Sequence, residues 1–118
     1  MEALEKAKYI AGVLDEKKAR EVTILGIAEK STLGDFFVIA TGTSSTQVKS
    51  LADEVEYKLE TECAIPAPRR EGYSSANWIL LDYGDVIVHI FDRDSREFFK
   101  LDKLWADAES VPFEKKED

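Results

Sequence analysis

The chain has 118 residues, 24 acidic and 16 basic, for a net charge of -8 at neutral pH. That length fits one domain that buries about two-thirds of the surface its unfolded chain exposes, so a core needs neither disulfide nor metal. The charge opposes adhesion to a phosphate backbone and suits a basic protein surface. The lone Cys63 and lone His89 exclude an internal disulfide and a zinc site of the usual His/Cys type. With no apolar run of signal-peptide or membrane-spanning length, a cytoplasmic, non-membrane protein is expected.

Leu4, Ala7, Ile10, Ala11 and Leu14 recur at helical spacing in a charged stretch, which predicts an amphipathic helix over residues 2–18, closed by Lys17-Lys18-Ala19-Arg20. Residues 22–27 and 36–41 read as strands of a hairpin or meander, joined by a polar loop with Ser31, Thr32 and Gly34. Gly42-Thr43-Ser44-Ser45 then offers hydroxyl caps to a second helix, whose apolar stripe is Val48, Leu51, Ala52, Val55 and Leu59. Pro66 and Pro68 assign the next segment, charged by Arg69, Arg70 and Glu71, to an edge strand or an extended connection.

Residues 77–91 are the most informative stretch, predicting two buried strands around a Tyr83-Gly84 turn. A two-residue loop there sets Asp82 opposite Asp85, Leu80 opposite Ile87, and Trp78 opposite His89. Ile79, Leu81, Val86, Val88 and Ile90 then form an aliphatic core face. Trp78, Leu80, Ile87 and His89 form a second face ending in two carboxylates, which is where a function is expected. Phe98, Leu101, Leu104 and Trp105 are spaced for a short helix within residues 95–106, with Trp105 expected to pack. The expected organisation is one domain over residues 1–108 with a polar, mobile tail over 109–118. The expected fold is α/β, a mixed sheet flanked by helices in the order α-β-β-α-β-β-β-α.

Chemistry-bearing motifs are weak. Gly42-Thr43-Ser44-Ser45 could hold an anion at a helix start, but it lacks the lysine and spacing of a phosphate loop, and a helix cap explains it. Asp92-Arg93-Asp94 alternates carboxylates around a cation, a poor arrangement for two-metal chemistry. Ser44 or Ser45 with His89 lacks a nucleophile elbow, and Cys63 reads as an inert thiol. No catalytic residue, metal ligand or cofactor is therefore assigned.

Against that background the residues resemble the Iojap-like ribosomal silencing factors. The match runs through Asp35, Thr41-Gly42-Thr43-Ser44-Ser45, Val48, Ala52-Asp53, Glu71-Gly72, Trp78-Ile79, Asp82, Gly84-Asp85-Val86, Val88-His89, Arg96, Leu101 and Leu104-Trp105. Thr46 and Gln47 depart from it, standing where the family usually has a basic residue and a histidine, as does Asn77, where an acidic residue is usual. The resemblance implies a topology similar to nucleotidyltransferases without an enzymatic role. It also implies docking on large-subunit ribosomal protein fourteen, which obstructs joining of the small subunit and represses translation, and a homodimer when free. Under that resemblance Glu71, Trp78, Leu80, Asp82 and Asp85 become the expected partner-binding residues, with no sequence recognition of nucleic acid. The alternatives are a large-subunit assembly factor and an active nucleotidyltransferase using Ser44, Ser45, Asp92 and Asp94.

Overall fold

A hairpin and a crossover share one sheet in the computed structural model, which describes residues 1–114. The chain runs α1 (Ala3–Glu16), β1 (Arg20–Gly26), β2 (Phe36–Gly42), α2 (Ser45–Cys63), β3 (Arg69–Glu71), β4 (Trp78–Asp82), β5 (Val86–Asp92), α3 (Arg93–Phe99), α4 (Leu101–Leu104) and β6 (Glu109–Val111). Across the sheet the order is β3-β4-β5-β2-β1-β6. β2 and β5 pair in parallel at the centre, and all other neighbours are antiparallel. The fold is thus the mixed α/β domain that the sequence predicts.

Parallel neighbours cannot be joined by a tight turn, so the chain must leave β2 and cross over before β5. α2 opens that crossover, its first turn capped by Ser44 Oγ, which accepts from the Gln47 N–H at 3.1 Å. Its whole predicted stripe, Val48, Leu51, Ala52, Val55 and Leu59, is buried on the same sheet face as Ala7, Ile10, Ala11 and Leu14 of α1. Ile79, Leu81, Val86, Val88 and Ile90 complete this core from below, as their alternation requires. Leu4 is the exception to the α1 stripe and lies exposed. The opposite sheet face carries Leu25, Ile27, Phe37, Ile39, Ile87 and Phe91, against which Leu101, Trp105, Ala108 and the half-buried Trp78 and Leu80 pack.

Three expectations need correction. The β4–β5 register is Trp78↔Phe91, Leu80↔His89 and Asp82↔Ile87, two residues from the predicted pairing. The Tyr83 N–H donates to the Val86 carbonyl at 3.0 Å, so the loop is Gly84-Asp85. Gly84, at φ +91°, takes the first loop position, where a II′-type turn places its glycine, and its N–H donates to Asp82 Oδ1 at 2.8 Å. Because the slip is by two, the side chains within β4 and β5 keep their predicted faces, while Asp85 passes into the loop.

The single helix predicted near residues 95–106 is broken at Lys100, which has φ +50°, into α3 and α4. The predicted tail is also not all tail. Glu109–Val111 pairs with β1 as Ile24↔Val111, Leu25↔Ser110 and Gly26↔Glu109, and Phe113 packs on the helix-side core. This pairing covers the N–H and C=O groups that β1 would otherwise leave unpaired at an edge. Residues 115–118 of the expected tail lie outside the described residues.

Gly72 turns the chain between β3 and β4 at φ +82°, where a Cβ would collide with the Trp78 carbonyl. Gly72→Ala therefore combines left-handed strain with a clash, and should lower the unfolding free energy by more than about 1 kcal/mol in urea titration. Amide exchange should rise first in the β3–β4 ladder. Native stability in the variant would contradict this.

Candidate partner-binding face

Paired residues on neighbouring strands share a face, so the β3–β4 register sets Arg69 opposite Asp82 and Glu71 opposite Leu80, on the sheet side away from α1 and α2. Arg70, one residue out of phase, points to the helix layer and donates to Glu56 Oε2 at 3.1 Å. Glu71 is exposed, while Leu80, Asp82 and Trp78 are half-buried, so four of the five predicted binding residues do share one surface. Asp85 does not. Its carboxylate lies 2.7 Å from Lys6 Nζ of α1, and its carbonyl accepts the N–H groups of Asp35 and Phe36 at 2.7 and 3.1 Å. Asp85 is thus a brace on the helix side, and the predicted facing pair of carboxylates does not form.

Trp78 is held from below and open above. Its ring centroid lies 4.9 Å from Phe91 and 4.7 Å from Phe99, and its Nε1 donates to His89 Nδ1 at 3.1 Å. An Nδ1 that accepts places the proton on Nε2, giving a neutral imidazole. His89 is 4 % exposed, and its ring meets Phe37 edge-on at 4.5 Å. Burial holds its pKa down to about 4. His89 therefore fixes the indole, while Ser44 Oγ is engaged in the α2 cap. The two do not form the nucleophile–base pair considered from sequence.

Exposed apolar side chains follow on α3 and α4: Phe98 and Leu104 of the predicted helical stripe, and Phe99, which lay off that stripe and whose ring abuts Trp78. Phe98 is 78 % exposed, Phe99 44 % and Leu104 72 %. Phe98 and Phe99 meet edge-on at 5.1 Å. Trp105 does pack, with its ring 5.4 Å from Phe37. The available signal was the Phe98-Phe99 pair itself, since adjacent helical residues point about 100° apart and one narrow stripe cannot bury both. Arg69, a cation that the β3–β4 register sets on this face opposite Asp82, was not among the predicted residues.

The phosphate-loop candidate is satisfied internally. The Thr43 N–H donates to Gln47 Oε1 at 2.5 Å, and Thr43 Oγ1 to the same oxygen at 2.9 Å, so the glutamine side chain takes the place an anion would need. Asp92 Oδ1 accepts the Ser95 N–H at 2.7 Å and caps α3. Among the described residues no group of three or more His, Cys, Asp or Glu side chains is placed to hold a metal ion, and no helix is long and apolar enough to cross a membrane.

A family model described as ribosomal silencing factor during starvation matches residues 1–118. The chain belongs to the ribosomal silencing factor family. It is 41 % identical over 110 residues to the ribosomal silencing factor RsfS of Halalkalibacterium halodurans, covering 93 % of each chain. It is 38 % identical to RsfS of Bacillus subtilis, covering 86 % of this chain and 85 % of that one. Its fold superposes on a crystal structure of a protein from Chromobacterium violaceum with TM-score 0.85 and 31 % identity, covering 98 % of this chain and 95 % of the other. The family name describes a regulator directed at ribosomes rather than an enzyme.

The buried neutral imidazole fixes a pH dependence for this family member. An unfolded His takes up a proton near pH 6.5, whereas the folded one resists protonation until about 4. The stability this contributes is complete above pH 6.5 and is lost as pH falls towards 4, by about 3 kcal/mol over the whole window. Urea unfolding at pH 7 and pH 4.5 should therefore show a steeper loss in the native chain than in His89→Gln. Equal losses would contradict it.

Proposed function

We propose that the chain docks on the large ribosomal subunit, on large-subunit ribosomal protein fourteen, and represses translation in the cytoplasm by occupying a surface that the small subunit needs. One observation carries this reading most. The sheet face without a long helix presents a half-buried Trp78, locked by His89, beside the exposed rings of Phe98 and Phe99. Large aromatics in a partly desolvated setting are the usual anchors of protein interfaces.

Glu71 and Asp82 outnumber Arg69, which lies 3.8 Å from the Glu71 carboxylate, at the margin of this apolar area, and the chain as a whole carries -8, which suits a basic partner. Asp85 drops out of the proposed rim because Lys6 already holds its carboxylate. The rim charges would speed and orient encounter, while the desolvated rings would set the lifetime of the complex. No bond is made or broken and no cofactor is required. The same rings are the surface we assign to self-association of the chain as a free homodimer.

Trp78→Ala should weaken binding to purified large subunits by about 2 kcal/mol or more, roughly 30-fold, in co-sedimentation. Tyr57→Ala, a change at an exposed ring on α2, should leave binding unaltered. A folded Trp78→Ala chain that binds with native affinity would overturn the reading.

A further inference from the structure

The exposed rings stand on elements too short to hold themselves. α3 has seven residues and α4 four, well below the length at which a helix is stable alone. They are joined through Lys100 in a left-handed conformation that disfavours a non-glycine residue. Phe98 and Leu104 face water rather than the core, while Leu101 and Trp105, beyond the Lys100 turn, pack on the open-face core. That packing seats the start of α4 but does not bury the exposed side chains themselves.

The polar anchor of that segment is one side chain. Arg96 is 8 % exposed and uses all three guanidinium nitrogens. Nε donates to Asp102 Oδ1 at 2.9 Å and Nη2 to Asp102 Oδ2 at 2.8 Å, a two-pronged pair that spans the Lys100 turn. Nη1 donates to Thr41 Oγ1 at 3.0 Å at the end of β2 and to the Glu21 carbonyl at 2.8 Å. Glu21 has φ +50° and lies where the β1–β2 register shifts, and its carbonyl accepts from Thr23 Oγ1 at 3.4 Å as well as from Arg96. One guanidinium thus ties α3, α4 and two strands together.

We propose that Arg96 is a positioning residue for docking: by gripping Asp102, Thr41 and the Glu21 carbonyl, it holds the Lys100 turn so that Phe99 and Phe98 are presented beside Trp78 and Leu104 stays exposed on α4. This rests on the docking reading above. Lysine cannot replace it, because an ammonium lacks the planar fork that meets both Asp102 oxygens while reaching two strands.

Asp102 is the test position, since its side chain is 43 % exposed and it lies on α4, outside the sheet and the long helices. In Asp102→Ala, amide exchange should accelerate at least tenfold over residues 97–105 with the α2 amides unchanged, and large-subunit affinity should fall at least fivefold. Asp102→Glu, which keeps the carboxylate, should recover part of that loss. Leu14→Ala, a destabilising change in the opposite layer, should bind large subunits with native affinity at a temperature where it is folded, separating presentation from general stability.

Trp78→Ala is measured alongside. If Trp78→Ala weakens binding and Asp102→Ala does not, the positioning role is overturned while docking stands. If Trp78→Ala binds normally, the docking reading itself fails and the positioning role falls with it. If Leu14→Ala loses affinity as much as Asp102→Ala, the effect is one of stability and the positioning role is likewise overturned.

Discussion

Parallel pairing of β2 with β5 at the centre of the sheet is the constraint from which the asymmetry of the molecule follows. It demands a crossover, and the crossover that begins with α2 packs on the same face as α1. Both long helices are thereby committed to one side. That side closes as an aliphatic core of alternating strand residues and two helical stripes, with the Lys6–Asp85 pair bracing α1 against the β4–β5 turn. The other side is left to aromatic rings and to the short segment from α3 to β6.

The two layers are held by different physics. The helix side depends on apolar burial, which tolerates exchange among residues of similar volume. On the open side buried polar groups settle the geometry: His89 on the Trp78 indole, and Arg96 on Thr41, Asp102 and a bulged carbonyl. Such groups have few alternative partners in a low-dielectric setting, so each specifies one arrangement. A surface meant to be recognised gains from that rigidity, because less ordering remains to be done on binding. The net charge of -8 also favours solubility of a chain that exposes several large apolar side chains.

Much of the fold is legible in the chain. Strand alternation over residues 78–82 and 86–91 assigns each side chain to its face, and the α2 stripe from Val48 to Leu59 is buried as a unit. What the sequence hides depends on contacts between distant residues. Tyr83-Gly84 and Gly84-Asp85 both look like hairpin loops, and the choice is reinforced where Asp85 meets Lys6, 79 positions earlier. The break at Lys100 carries neither glycine nor proline, and it stands with the grip of Arg96 on Asp102 across it. β6 forms because β1 offers an open edge, which no local pattern at residues 109–111 reveals. At the site, Trp78, Leu80 and Asp82 follow from alternation, Glu71 joins them only through the β3–β4 register, and Asp85 and the exposed Phe98 and Phe99 follow from neither. The silencing-factor family itself emerges from an ordered set of residues along the whole chain, not from any periodicity.

The proposed action by occupancy needs only a surface that fits, and the proposal assigns that part to the open sheet face. Amide hydrogen exchange of the chain bound to purified large subunits, compared with the free chain, locates that contact directly. Docking through the open face predicts slowed exchange over residues 78–82 and 96–105, with α1 and α2 unaffected. Protection confined to α1 and α2, with the Trp78 strand exchanging as in the free chain, would contradict it.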